Sequence, residues 1–171
     1  MKVILYMAMS LNGMVARENN EEDFISNENW KIFIDLVKKS GCLVWGRKTL
    51  EIISTWDKSY SSDLNGFKKI VVSRQKLNLN SEYQQAYSPK EAIKILKDGG
   101  FSEVILCGGS LLNGSFAKEG LIDEIILDIE PVVIGKGISV FSHDNFDFDL
   151  NFKGTKKLSN GIIQLHYVVN K

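Results

Sequence analysis

The strongest constraint on this chain is a junction that occurs twice. An apolar run of strand length ends in glycine, and a helical pattern begins at the next residues. In "CLVWGRKTLEII" Gly46 closes the run; in "VILCGGSLLNGSF" Gly108 and Gly109 do so. With "KVILYMAM" (Lys2–Met9) and "KKIVVS", these runs read as short strands buried on both faces. Helical patterns lie between them. "SNENWKIFIDLVKKSG" opens at Ser26 or Asn27, places Trp30, Phe33, Ile34 and Val37 at helical spacing, and stops at Gly41. "SPKEAIKILKDGG" carries Pro89 in its first turn and glycines at its exit, while "YQQAY" reads as a weaker strand. Strand alternating with helix predicts a mostly parallel sheet with helices on both faces.

The last third changes period. "DEIILDIEPVVIG", "FKGTKKLS" and "IIQLHYVV" are extended, and Ser159–Gly161 ("SNG") is a hairpin signal. The expected α/β fold is therefore a mixed, mostly parallel sheet with flanking helices and a C-terminal antiparallel hairpin. No repeat or linker divides the 171 residues, so one domain spanning residues 1–171 is expected.

Charge narrows the function classes. Twenty-one basic residues balance 21 acidic ones, which leaves no global field for nucleic acid or an anionic membrane. No apolar run has membrane-spanning length, and the start of the chain turns polar too soon for a signal peptide, so a cytoplasmic protein is expected. Cys42 and Cys107 each follow the apolar pattern, which predicts two buried thiols rather than a disulfide.

In parallel sheets, ligands bind outside the carboxyl ends of the strands. Three such ends carry suitable chemistry. At Gly46-Arg47-Lys48-Thr49 and at Gly108-Gly109-Ser110, a helix start offers unpartnered amides to an anion, and glycine lets the anion approach. At Ser73-Arg74, a hydroxyl and a guanidinium suit a phosphate monoester. Each alone is equally readable as a turn or a solvated cation.

Taken in order, "MAMSLNGMVA", "VWGRKTLE", "VVSR", "LCGGSLLNGSF" and "LIDEIILDIEPVVIGKGISVF" resemble the dihydrofolate reductase-like fold. Within it they resemble the reductase domain of bacterial riboflavin biosynthesis. The resemblance implies an eight-stranded mixed sheet and NADPH as cofactor. It places Gly46, Arg47, Lys48 and Thr49 at the cofactor phosphates, Ser73 and Arg74 at the 2′-phosphate, and Gly108, Gly109, Ser110, Leu111 and Leu112 beneath the pyrophosphate and nicotinamide. Such a glycine pair often contains a cis peptide. Ala8 and Met9 fall beside the nicotinamide. Asn12, Phe24, Trp30 and Lys38 fall toward a small-molecule substrate, and a homodimer is possible by the same analogy.

Two positions depart from the riboflavin-pathway pattern: Asn12 replaces an aspartate and Cys107 a glutamate. True dihydrofolate reductase is the weaker match, because Trp30 occupies the position of its pterin-binding carboxylate. The implied activity is an NADPH-dependent reductase acting on a carbonyl or imine of a pyrimidine- or pterin-like compound. The alternative is a non-catalytic NADP-binding relative acting as a sensor or partner module. Asp23 is the one candidate acid.

Other chemistries fail on spacing. "GGSLL" lacks the second glycine of a hydrolase elbow. His143 and His166 do not form a zinc pattern, so no metal is expected. "HDNFDFDLN" lacks the glycine and final glutamate of a calcium loop, and "GKG" is no phosphate loop.

Overall fold

The computed structural model describes residues 1–171. The inner strands are β1 (Lys2–Ser10), β3 (Cys42–Gly46), β4 (Lys68–Val72) and β6 (Glu103–Leu106). They join β5 (Tyr83–Ala86), β7 (Glu124–Glu130), β9 (Leu150–Lys157) and β10 (Ile163–Val169) in one sheet of order β5-β4-β3-β6-β1-β7-β10-β9. All pairs from β5 to β7 are parallel; β10 pairs antiparallel with β7 and with β9. This is the expected mixed sheet with its terminal hairpin. The hairpin turns through Asn160 (φ +55°) and Gly161 (φ +81°), both in the left-handed region.

Strand alternation explains the unbroken apolar runs. Val3 and Leu5 of β1, Cys42 and Val44 of β3, and Val104 and Leu106 of β6 face one core layer. Ile4 and Tyr6, Leu43 and Trp45, and Ile105 face the other. Helices α4 (Pro89–Asp98) and α5 (Ser110–Lys118) cover the first layer through Ala92, Leu96, Leu112 and Phe116. Helix α1 (Asn27–Ser40) covers the second with Phe33, Ile34 and Val37, joined by Ile53 of α2 (Arg47–Ile53). Each fully buried apolar side chain contributes about 1.5–3 kcal/mol, so both layers hold the strand ends in fixed register.

The helix ends obey their sequence signals. Gly41 ends α1 at φ +74° and donates its N–H to Val37 O. Ser88 Oγ caps α4 by accepting from Glu91 N–H, and Glu91 Oε2 accepts in return from Tyr87 N–H. Gly114, inside α5, is explained by packing: a Cβ there would collide with Ser142 Oγ.

Three elements lack a sequence signal. They are the ribbon of β2 (Met14–Ala16) with β8 (Ile138–Ser139), and α3 (Lys58–Ser62). All are five residues or fewer, too short for a period to register. One expectation on burial needs correction. Cys42 is buried, but Cys107 lies one residue beyond β6 and is only partly covered, because its strand has ended at a cleft.

Candidate active site

Four neighbouring strands end on one side of the sheet. β4 leads to Ser73-Arg74, β3 to Gly46–Thr49, and β6 to Cys107–Ser110, while β1 runs past its neighbour β6 to Ser10. Backbone hydrogen bonds stitch the two glycine junctions. Cys107 N–H donates to Val44 O at 2.9 Å, and Gly46 N–H donates to Gly108 O at 2.8 Å. Gly108 has φ +82°, and a Cβ there would also stand 3.2 Å from Met7 Sδ. A Cβ on Gly109 would stand 3.4 Å from Thr49 Oγ1. The Gly108–Gly109 peptide is cis. Gly109 is the cap residue of α5, and no side chain fills the cap.

The third junction is level with these, since Val72 pairs with Gly46 and Ser73-Arg74 follow directly. Ser73 Oγ donates to Gln75 O at 2.9 Å and accepts from Gln75 N–H at 3.2 Å, so it closes its own turn. Gln85 Nε2 braces the turn through Ser73 O and Gln75 O. Arg74 is exposed and takes part in none of the ion pairs of the fold. Arg47 instead reaches back to Glu51 Oε1 at 2.8 Å, and Lys48 points outward, exposed.

Beside the glycine junctions opens a cavity of about 420 Å³. Its floor is Tyr6, Met7 and Ala8 of β1, Trp45 of β3, and Cys107. Its far wall is aromatic. Trp30 meets Tyr60 at 4.9 Å and Trp56 at 5.9 Å between ring centroids, both edge-on. Trp56 meets Tyr60 at 5.4 Å, and Trp30 Nε1 donates to Asp63 Oδ2 at 2.9 Å. Thr49 and Ile52 of α2 connect this wall to the glycine side.

A buried polar network supports the floor. The Tyr6 hydroxyl lies 2.7 Å from Asp128 Oδ2 and 3.0 Å from Asn29 O, and Gln164 Nε2 donates to Asp128 Oδ1 at 2.9 Å. One phenol proton cannot serve two acceptors. The shorter contact takes it, so the Tyr6 hydroxyl donates to Asp128 Oδ2. Burial, the largest influence on Asp128, pushes its carboxyl above the usual range. Glu130 Oε1 accepts from Ser26 N–H at 2.7 Å and from Asn29 Nδ2 at 2.6 Å, tying the start of α1 to β7.

Two adjacent acids differ in their surroundings. Asp23, the candidate from sequence, is exposed and forked to Arg17 at 2.6 and 3.1 Å; the Arg17 hydrogen bond holds its carboxyl below the usual range. It does not line the cavity. Glu22 does, and burial pushes its carboxyl up to about 7. Loops carry no period, so the sequence could not tell which of two neighbouring acids turns inward. The Cys107 thiol is pushed well above its ordinary value by burial and stays neutral.

Of the residues carried over by resemblance, Ala8, Trp30 and Thr49 line the cavity. Met9 sits on the opposite strand face, packed on the other core layer. Leu112 is core, Leu111 is exposed, and Ser110 begins α5 at the cleft. Three placements toward a substrate do not match the cavity. Phe24 is absent from its lining. Lys38 is exposed and pairs with Asp35 at 3.6 Å, eight residues and about 12 Å along α1 from Trp30. Asn12 is exposed at the β1–β2 turn, where Nδ2 donates to Ile134 O at 2.7 Å and Oδ1 accepts from Ile134 N–H at 3.0 Å.

An eight-stranded sheet of this order, open across the carboxyl ends of β4, β3, β6 and β1, is the dihydrofolate reductase-like fold expected from the sequence. Comparison with known proteins narrows it. The chain belongs to the RibD C-terminal domain family, whose model matches residues 1–164. It is 28% identical to YwjB, an uncharacterised protein of Bacillus subtilis (strain 168), over 98% of this chain and 97% of that one. A pyrimidine reductase-like protein from Corynebacterium diphtheriae superposes with a TM-score of 0.79 at 14% identity, covering 99% of this chain and 92% of its own. A diaminohydroxyphosphoribosylaminopyrimidine deaminase/5-amino-6-(5-phosphoribosylamino)uracil reductase from Thermotoga maritima superposes with a TM-score of 0.74 at 14% identity. That match covers 99% of this chain but 56% of the Thermotoga protein.

Proposed function

We propose that this protein is an NADPH-dependent reductase acting on a pyrimidine- or pterin-like ring. The observation that carries the reading is the meeting of a bare backbone edge with a ring-sized aromatic cavity at four adjacent strand ends. Gly46, Gly108 and Gly109 let the two junctions pack closely against each other, and the uncapped start of α5 favours a phosphate. Arg74, free of internal partners, would take the 2′-phosphate and so favour NADPH over NADH. Bound there, NADPH would supply the hydride. The chain's part is to orient both partners and keep water out, through Trp30, Trp56, Tyr60 and Ile52. No thiol anion competes, since Cys107 remains protonated.

Thermal unfolding with each coenzyme tests the reading. NADPH at 100 times its dissociation constant stabilises by about 2.7 kcal/mol, a shift of several degrees. A larger shift with NADPH than with NADH is expected. No shift with either coenzyme overturns the proposal.

A further inference from the structure

The charges around the cavity specify its ligand further, and this step rests on the reductase reading. Two acids, Glu22 and Asp57, line the cavity, with no lysine, arginine or histidine. Asp57 already caps α3, accepting from Ser59 N–H at 2.8 Å. Arg17, Lys38 and Arg47 are engaged by Asp23, Asp35 and Glu51. Lys31 and Lys58 are exposed and outside the lining.

Such a cavity is hostile to a phosphate. A dianion placed there would lose its water, find no counter-charge and face Glu22. A planar ring suits it, with Trp30, Trp56 and Tyr60 offering faces and edges.

We propose that the cavity takes a phosphate-free aromatic nitrogen heterocycle, neutral or cationic, with its ring N–H or amino groups on Glu22. It rejects phosphoribosyl compounds of the kind named for the Thermotoga protein. With its carboxyl pushed up to about 7 by burial, Glu22 gains or loses its proton near neutrality as the ligand requires.

Trp30, Trp45 and Trp56 all line the cavity, so tryptophan fluorescence reports occupancy without turnover. The probe is 2-aminobenzimidazole, a planar guanidine-like base, titrated against 5-amino-6-(5-phosphoribosylamino)uracil. The base should quench, and the phosphoribosyl compound should not do so at the same concentrations. Glu22→Gln should weaken the base about tenfold or more, the loss of one charge-assisted hydrogen bond, while Asp23→Asn leaves it unchanged. Tighter binding of the phosphoribosyl compound, no quenching by the base at millimolar concentration, or unchanged affinity in a folded Glu22→Gln overturns the proposal. Melting of the same samples with NADPH reads the coenzyme separately. A retained NADPH shift with failed ring binding sinks this inference alone, and a missing shift sinks the reductase reading.

Discussion

The two walls of the cleft solve the problem of recognition with different materials. On the glycine side, Gly46, Gly108 and Gly109 present backbone, held by the 2.8 Å bond from Gly46 N–H to Gly108 O. On the aromatic side, Trp30, Trp56 and Tyr60 present side chains braced edge-on against one another. The backbone wall resists an added atom at Gly108, where φ is +82° and a Cβ would stand 3.2 Å from Met7 Sδ, whereas a side-chain wall can be rewritten one residue at a time. A wall of the first kind suits a coenzyme that never varies. The second is where relatives can diverge in what they reduce.

That contrast can be broken at four points. Gly108→Val should have the largest effect, because a branched side chain at φ +82° strains the backbone by about 1–3 kcal/mol and also meets Met7 Sδ. NADPH should no longer shift the melting temperature of this variant, while ring binding measured by fluorescence persists more strongly. Equal loss of both would show that the walls are not separable. Next comes Arg74→Ala. Losing one or two charge-assisted bonds should weaken NADPH by roughly 10–100-fold and leave NADH unchanged, as coenzyme titrations would reveal.

Trp30→Ala should cost ring affinity roughly 2–10-fold through lost aromatic contact, with NADPH affinity preserved. The smallest effect concerns pH. Glu22 has a folded pKa near 7 against an ordinary 4.5, so its contribution is fully present below 4.5 and is lost as pH rises through 7. Glu22→Gln should therefore melt higher than the parent at pH 8, and the gap should close toward pH 4. Glu124 behaves oppositely: burial pushes it up, but Lys153, His166 and Lys2 outweigh burial and bring it to about 2. Its stabilisation is present above 4.5 and is lost as pH falls toward 2, which an acid titration of Glu124→Gln against the parent would detect.

The same contrast governs what could be read in advance. The glycine wall was legible because each junction is contiguous: an apolar run, a small residue, then a helix start within a dozen letters. The parallel core was legible because Val3 through Tyr6 must feed two layers at once. Of the aromatic wall, Trp30 was legible by resemblance, but its meeting with Trp56 and Tyr60 was not, since the three come together only through the fold of α1, α3 and the loop between α2 and α3. Lys38 lies apart from the cavity. A matching letter on α1 lies about 12 Å along the helix from the residue that does reach the cavity. Position in an alignment carries identity, and only geometry carries direction.

Asn12 shows what such direction costs when it is misread. Its amide gives one hydrogen bond, to Ile134 O, and takes two, from Ile134 N–H and Ser10 Oγ. An ionised aspartate could take but never give, and would turn a lone pair against the Ile134 carbonyl. The letter at this position therefore works as a two-pronged fastener between distant loops, and exchanging one atom of it would unhook a prong.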